Sequence, residues 1–169
     1  TLGWETAGDL KTILIEKNIV NETVIVAYVD NVTDLNMQHM LDHHRRNGLP
    51  VTLALFEVPR EEVSSFGIAK VVDGRIVEFK EKPKVEEAPS NLASAAYYIL
   101  EAEAVNALPL VRDNVEHVLF PKLARDAKIS AYVYKTKLWI DIGTLNNYKL
   151  ANRIVEEIIA PEKIQSELP

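Results

Sequence analysis

The chain has 169 residues, 47% hydrophobic and 26% charged, which is enough for one globular domain with a real core. Its formal net charge of −6 excludes a broad cationic surface for nucleic acid, and the lack of cysteine excludes disulfides and thiolate zinc sites. Because no apolar run spans a bilayer and no signal peptide is visible, we expect a cytoplasmic protein with no membrane partner. The chain opens at Thr1 rather than Met, so we expect a processed product or a piece of something longer.

The first half of the chain alternates an apolar run with a helical pattern. Residues 24–29 form a continuous, largely β-branched run, which predicts a strand buried on both faces, as in a parallel sheet. Asp30 ends this strand, and Asp34 is placed to cap a helix that ends at Gly48. A second strand is predicted at residues 51–58. The inner face of the helix is predicted to carry Met37, Met40, Leu41 and His44.

The second half contains a hairpin and several short elements. Asp73-Gly74 lies between apolar runs at residues 67–72 and 75–79, which is a strong hairpin signal. A final amphipathic helix follows Gly143-Thr144, and residues 161–169 form a polar tail. The remaining pattern predicts a polar loop at 83–89, strands at 92–100, 129–134 and 138–142, and helices at 101–108 and at 114–126, the last with an irregularity at Pro121.

Strands that alternate with helices, with one inserted hairpin, predict the fold class. We expect an α/β domain with a Rossmann-like, mostly parallel sheet and helices on both faces. The domain would cover residues 1–160 and be followed by the tail.

Two acids stand where strands end. Asp30 follows the first strand, and Asp141 lies near the end of the strand at residues 138–142. In open α/β sheets ligands gather outside the carboxyl ends of strands, and two carboxylates there suit Mg²⁺. The alternative is that each acid is a turn former or helix cap.

Three further groups of residues are candidates, each with a plain structural alternative. Glu81-Lys82 would hold a sugar hydroxyl and a phosphate, or belong to a solvated charge cluster. The small residues of Thr6-Ala7-Gly8 would let the backbone approach a flat ligand, or form a turn. His39 and His43 share a helix face, but the Glu of a zinc protease motif is lacking, which favours helix surface over metal binding.

Taken in order, these pieces resemble the nucleotidyltransferases that activate sugar 1-phosphates, the nucleoside-diphosphate-sugar pyrophosphorylases. The match runs over nearly the whole chain, and the ordered set is more specific than any single motif. The matching pieces are Thr6-Ala7-Gly8, the strand ending at Asp30 with Thr33-Asp34, Asn47-Gly48, Phe66-Gly67-Ile68, the segment 73–77, Glu81-Lys82-Pro83, Ser90-Asn91, the segment 120–123, the segment 139–144 and Tyr148.

The resemblance implies a reaction in which a sugar 1-phosphate attacks a nucleoside triphosphate and pyrophosphate leaves. It implies that Asp30 and Asp141 hold a catalytic Mg²⁺ and that Lys82 binds the sugar phosphate. Lys82 is expected to share a cleft with Asp141, while Lys80 and Lys84 face solvent. It also implies substrate contacts from Thr6, Ala7 and Gly8 beside the base, and from Gly67, Glu81, Asn91 and Ser94 beside the sugar.

The chain departs from the family pattern at several positions. Val29 stands where the family usually has Gly before the metal acid, and Glu5 stands where Gly often precedes Thr-Ala-Gly. Ser94-Ala95-Ala96 replaces a triplet that usually ends in Gly. The chain also contains nothing like the Gly-rich loop with Arg, followed by Lys-Pro, that wraps the triphosphate in the family. We therefore expect the fold to be N-terminally incomplete and this chain alone to be inactive.

Three functions remain open at this point. The first is an enzyme whose triphosphate loop comes from its own N-terminal segment or from a homo-oligomer partner. The second is a non-catalytic relative that binds a nucleotide sugar or regulates another subunit. The third is a cytidylyltransferase that acts on a non-sugar phosphate, which gives less reason for Glu81 beside Lys82.

Overall fold

A computed structural model describes residues 3–166, with side-chain burial over residues 3–155. The chain forms two compact units: one contains the residues up to Ala27 together with Asn36–Lys135, and the other contains Tyr28–Leu35 and the residues from Thr136 onward. Within residues 3–166, no helix combines the length and the apolar character that a membrane span requires.

The helices and strands occur in the following order along the chain. They are α1 (Glu5–Glu16), β1 (Val24–Ala27), β2 (Asn31–Thr33), α2 (Met37–Asn47), β3 (Val51–Glu57), β4 (Gly67–Val72), β5 (Arg75–Glu81), β6 (Leu92–Leu100), α3 (Ala102–Ala107), α4 (Val115–Val118), α5 (Phe120–Arg125), β7 (Ile129–Val133), β8 (Trp139–Asp141) and α6 (Leu145–Ser166). Short 3₁₀ helices lie at Arg60–Ser65 and Val85–Glu87.

The first unit is built on a six-stranded sheet in the order β1-β6-β3-β7-β5-β4. Strands β3 and β7 are parallel, and the other ladders of this sheet in the described part of the chain are antiparallel. The sheet is thus mixed, with fewer parallel ladders than the sequence predicts. The physical reason is that the tight turn at Asp73-Gly74 fixes β4 and β5 as antiparallel, and β6 runs against β1, β3 and β4.

Helices cover both faces of this sheet, as predicted. Thr52 on β3 is fully buried and bonds His44 of α2 on one face. Its neighbour Leu53 points to the other face, where Tyr98 lies opposite it and packs edge-on against Phe120 of α5 at 5.1 Å between ring centroids. Strand β3 is therefore buried on both faces and forms the centre of the core.

Strand β1 is shorter and more exposed than the sequence predicts. It ends at Ala27 rather than at residue 29, and its residues alternate between half-buried and exposed. It pairs with β6 and, within the described part of the chain, with no second strand. Ile25 is consequently 42% exposed, and Val29 lies outside the strand and is 95% exposed.

The helix boundaries confirm some predictions and correct others. Gly48 ends α2 with a left-handed φ of 61°, and the region 114–126 breaks at Leu119, just before Pro121, into α4 and α5. Asp34 is not the cap of α2: Asn36 accepts the hydrogen bond from His39 N, while Asp34 accepts from Thr136 and Lys137. Helix α6 runs through Pro161, where the polar tail was expected to begin.

The second unit contains a two-stranded antiparallel sheet, β2 with β8, and helix α6. Asn31, Val32 and Thr33 lie opposite Asp141, Ile140 and Trp139. Asp141 therefore lies in a separate small sheet. The prediction that its strand belongs to the main sheet is wrong.

Candidate functional site

Glycine at position 67 makes room for a carboxylate. Gly67 opens β4 and lies directly opposite Glu81, the last residue of β5. A Cβ at position 67 would lie 2.5 Å from the Phe79 ring and 2.7 Å from Oε2 of Glu81. Since such contacts are not tolerated, only glycine lets Phe79 and Glu81 keep these positions.

Lys82 breaks the strand immediately after Glu81. Its φ is 43°, in the left-handed region, and its backbone N donates to the Phe66 carbonyl at 3.0 Å. A non-glycine residue in this conformation is strained, and such strain is concentrated at functional sites. The turn leaves the Lys82 side chain 65% exposed, with its ammonium 3.9 Å from Oε1 of Glu81, whose side chain is 21% exposed. A cation and a carboxylate thus stand side by side.

Glu81 and Lys82 line an open cleft of about 510 Å³ in the first unit. Lys80 and Lys84 are both exposed, as predicted, and they also line this open cleft. The physical reasons are the left-handed turn at Lys82, which carries the chain around the cleft, and the long stem of Lys80, which reaches the Glu87 carbonyl at 3.1 Å. The full lining is Lys80, Glu81, Lys82, Pro83, Lys84, Glu87, Glu116, His117 and Pro121.

The cleft perturbs the protonation of Glu81. Burial raises the pKa of this carboxyl, and the like charge of Glu116 raises it further, while Lys82 and His117 act in the opposite direction. Nearby, the His117 imidazole Nδ1 and the Asp113 carboxylate lie 2.8 Å apart, and this hydrogen bond lowers the pKa of Asp113. The cleft therefore combines a carboxyl whose pKa lies above its ordinary value with cations that favour a bound anion.

Thr6-Ala7-Gly8 lies in the first turn of α1, so the plain-turn interpretation is wrong. Thr6 N donates to the Asn114 side chain at 3.3 Å, and Ala7 N donates to the Asp113 carbonyl at 3.0 Å. A Cβ on Gly8 would lie 2.4 Å from the Val111 carbonyl oxygen, so packing alone requires glycine there. The contact of this segment with a nucleotide base stays a prediction.

Asn91 and Ser94 flank the start of β6 and are not among the cleft residues. The Asn91 carbonyl accepts from Val58 N at 3.0 Å. Ser94 Oγ accepts from Ala96 N at 3.3 Å, beside a register shift between β6 and β3. Ala96 has a φ of 61°, the left-handed conformation that favours glycine, which the family usually has there. The contacts of Asn91 and Ser94 with a sugar stay predictions.

Asp30 lies in the turn just before β2, and Asp141 is the last residue of β8, the strand that pairs with β2 in the second unit. Asn31 is paired with Asp141, and Ile142 N donates to the Asp30 carbonyl at 2.7 Å, so their backbones are adjacent. Both residues are exposed, and Oδ1 of Asp141 accepts from Gly143 N at 2.7 Å. No group of three or more His, Cys, Asp or Glu residues suited to a metal occurs in the described part of the chain. A shared ion, and a cleft shared by Lys82 and Asp141, stay predictions.

Sequence reasoning missed Glu116 and His117, which line the cleft on the side of α4. Their position just before the Phe120-Pro121 motif was the available signal. Two of the three histidines of α2 pack inward: His44 is buried as predicted, and His43 hydrogen-bonds Ser130 at 2.9 Å and packs against the Tyr132 ring, whereas His39 is exposed.

Two proteins with sequences similar to this chain are named for glucose 1-phosphate. The glucose-1-phosphate adenylyltransferase of Thermotoga neapolitana is 38% identical over 141 residues, covering 78% of this chain and 33% of the relative. The UTP–glucose-1-phosphate uridylyltransferase of Synechocystis sp. is 34% identical over 151 residues, covering 88% of this chain and 39% of the relative. The chain thus spans 33–39% of the length of these relatives.

The fold and the family assignment agree with these relatives. A solved structure of UDP-glucose pyrophosphorylase complexed with UDP-glucose matches with a TM-score of 0.76 and 25% identity, covering 93% of this chain and 64% of that chain. The α/β class of the nucleotide-diphospho-sugar transferase type is therefore confirmed. Residues 5–158 match the family described as nucleotidyl transferase. With this match over most of its length, the chain belongs to the nucleotidyl transferase family.

Proposed function

We propose that this chain carries the sugar 1-phosphate site of an enzyme that transfers a nucleotidyl group from a nucleoside triphosphate to a sugar 1-phosphate and releases pyrophosphate. The observation that carries the proposal is the cleft in which Glu81 and Lys82 stand side by side, opened by glycine at position 67. Two relatives named for glucose 1-phosphate support that sugar phosphate as the substrate.

The cleft residues have distinct roles in this proposal. The Lys82 ammonium binds the phosphate of the sugar, and the Glu81 carboxylate accepts hydrogen bonds from sugar hydroxyls. A phosphate oxygen of the held sugar attacks the α-phosphorus of the triphosphate, and the bond from that phosphorus to the bridging oxygen of pyrophosphate breaks. Positioning and neutralisation of charge supply most of the acceleration in such a transfer.

We propose that Asp30 and Asp141 hold the Mg²⁺ of this reaction. The donor set fits: two exposed carboxylates, one just before β2 and one at the end of β8, supply oxygen ligands, and Mg²⁺ in proteins is commonly bound by one or two carboxylates plus substrate phosphates. When bound, the ion supplies positive charge to the phosphates. A direct check is a Mg²⁺ titration of the chain and of Asp141→Asn, followed through the backbone amide signals of residues 139–144.

The triphosphate partner requires groups that this chain does not contain, since it has no Gly-rich loop with Arg. We propose that they come from an N-terminal segment of the gene product or from a second copy of the chain. We also propose a cytoplasmic location, in keeping with the absence of cysteine.

A pyrophosphate-release assay tests the proposed activity. The gene product and the 169-residue chain are each incubated with glucose 1-phosphate, Mg²⁺ and a panel of nucleoside triphosphates. We expect turnover by the gene product, a loss of at least 10²-fold in Lys82→Ala, and no useful turnover by the chain alone. Comparable turnover by both proteins would contradict the inactivity of the chain. Turnover by neither would favour the non-catalytic nucleotide-sugar-binding alternative.

A further inference from the structure

We propose that Glu116 is a second acceptor for sugar hydroxyls in this cleft and that Thr6 positions it. The inference rests on the proposed function and extends it to a residue and a substrate class. Glu116 lines the same cleft as Glu81 and Lys82, but it belongs to α4 rather than to the β4–β5 hairpin. The cleft thus has a carboxylate on each of two independent elements.

The Thr6 hydroxyl connects Glu116 to the first turn of α1. Val115 N donates to Thr6 Oγ1 at 3.0 Å, which fixes the start of α4 beside Thr6. Thr6 Oγ1 in turn lies 3.4 Å from Oε2 of Glu116 and 3.2 Å from Oδ1 of Asn114, so its single proton is shared between these acceptors. This contact places the Glu116 carboxylate beside the first turn of α1.

The electrostatics of the cleft identify the kind of ligand that would bind. Glu81 and Glu116 repel each other, and burial disfavours the charge on Glu81. Hydrogen-bond donors placed between the two carboxylates would relieve both effects. Sugar hydroxyls are such donors, whereas a second phosphate would be repelled. Lys82, beside Glu81, remains available for the one phosphate of the ligand.

The substrate class follows from this arrangement. The cleft is suited to a sugar 1-phosphate with at least two free hydroxyls, one for Glu81 and another for Glu116. Removing the hydroxyl that meets Glu116 leaves this carboxylate without its donor. Sites that hydrogen-bond a substrate hydroxyl reject analogues that lack it much more strongly than apolar pockets reject a missing methylene.

A double-mutant cycle tests the inference: one change is the substitution of Glu116 in the gene product, and the other is the removal of one hydroxyl from the ligand. Dissociation constants are measured by calorimetry for glucose 1-phosphate and its 2-, 3-, 4- and 6-deoxy analogues, with wild type and with Glu116→Gln. Wild type should lose about 10- to 100-fold in affinity for the deoxy sugar that lacks the contacted hydroxyl. In Glu116→Gln the same deoxygenation should cost about 3-fold or less. Glu86→Gln, a change in the 3₁₀ helix that carries Glu87, should keep the wild-type pattern.

Suppose that wild type binds glucose 1-phosphate and that each deoxygenation reduces the affinity equally in wild type and in Glu116→Gln. The role of Glu116 is then overturned, while the proposed function stands. If wild type binds no sugar 1-phosphate, the proposed function fails, and the role of Glu116 fails with it.

The Thr6 variants test positioning and cover the case in which Glu116→Gln does not fold. Thr6→Ser keeps the hydroxyl and should preserve both affinity and deoxy-sugar discrimination. Thr6→Val removes the hydroxyl and should reduce the discrimination at the Glu116 position. Equal discrimination by Thr6→Ser and Thr6→Val would overturn the positioning role of Thr6.

Discussion

Gly67 lies directly opposite Glu81 in the β4–β5 ladder, and the Glu81 carboxylate occupies space that a side chain at position 67 would need. The Phe79 ring closes the other side of that space. It is 4% exposed and packs edge-on against Phe120 at 5.4 Å between ring centroids. Because the ring cannot yield without disturbing the core, the absence of a side chain at Gly67 determines where Glu81 stands.

Gly67→Ala should therefore reduce both stability and ligand binding. Overpacking of this kind costs about 1–3 kcal/mol of unfolding free energy, measured by urea denaturation. The displaced carboxylate should also weaken glucose 1-phosphate binding. Lys70→Ala, on the exposed side of the same strand, serves as the control and should stay within about 0.5 kcal/mol of wild type. Wild-type stability in Gly67→Ala would show that the space is not restricted.

Ala96→Gly should stabilise the protein. Ala96 has a φ of 61°, and an L-residue in this region costs about 1–2 kcal/mol, which exceeds the entropic cost of adding a glycine to the unfolded chain. We expect a gain of about 0.5–1 kcal/mol in unfolding free energy. Glu5→Gly, at a φ of 56°, should act in the same direction.

The neighbouring residue supplies the matched control for Ala96→Gly. Ala95 is fully buried in β6 and is not among the residues with positive φ, so Ala95→Gly should destabilise by roughly 0.5–1 kcal/mol. Equal effects at positions 95 and 96 would contradict the conformational explanation.

Elements with a strong local signal were predictable from the sequence. The hairpin at Asp73-Gly74 and the end of α2 at Gly48 depend on left-handed residues, and both have positive φ. Helix α1 was missed because its first turn is capped from 108 residues away by Asn114 rather than by its own sequence. The sheet is mixed because strand pairing depends on long-range packing, which local pattern does not encode.

The residues of the candidate site also differ in whether a local sequence signal identifies them. Glu81 and Lys82 were predictable because they form one contiguous motif that ends a strand. Glu116 and His117 were not, because the packing of α4 and α5 against β5 brings them to the cleft from far along the chain.

His44→Ala should destabilise the core of the first unit. The His44 imidazole is 2% exposed and forms hydrogen bonds of 2.8 Å with Thr52 Oγ1 and with Glu101 Oε1. Its removal leaves the fully buried Thr52 hydroxyl without this partner and opens a cavity, so we expect a loss of about 2–4 kcal/mol in urea denaturation. His39→Ala, on the exposed side of α2, should have little effect. A loss below about 1 kcal/mol in His44→Ala would contradict this role.

The raised pKa of Glu81 should make stability depend on pH. Because the folded protein holds this proton more tightly than the unfolded chain, the contribution to stability is present below the ordinary pKa of 4.5. It is lost as pH rises through the raised folded value. Wild type should therefore lose stability relative to Glu81→Gln as pH rises from 4 towards neutrality. A constant difference between the urea midpoints of wild type and Glu81→Gln across this pH range would be inconsistent with a raised pKa of Glu81.

Titration of the chain with glucose 1-phosphate, followed by backbone amide NMR, shows whether this cleft binds the sugar phosphate. We expect saturable shifts at Gly67, Glu81, Lys82 and His117. The affinity should be at least about 10-fold weaker in Lys82→Ala than in wild type, because a charge-assisted contact to phosphate is lost, and it should be unchanged in Lys70→Ala. Saturable binding with equal affinity in all three proteins, or no saturable shift at these residues, would contradict the assignment of this cleft as the sugar 1-phosphate site.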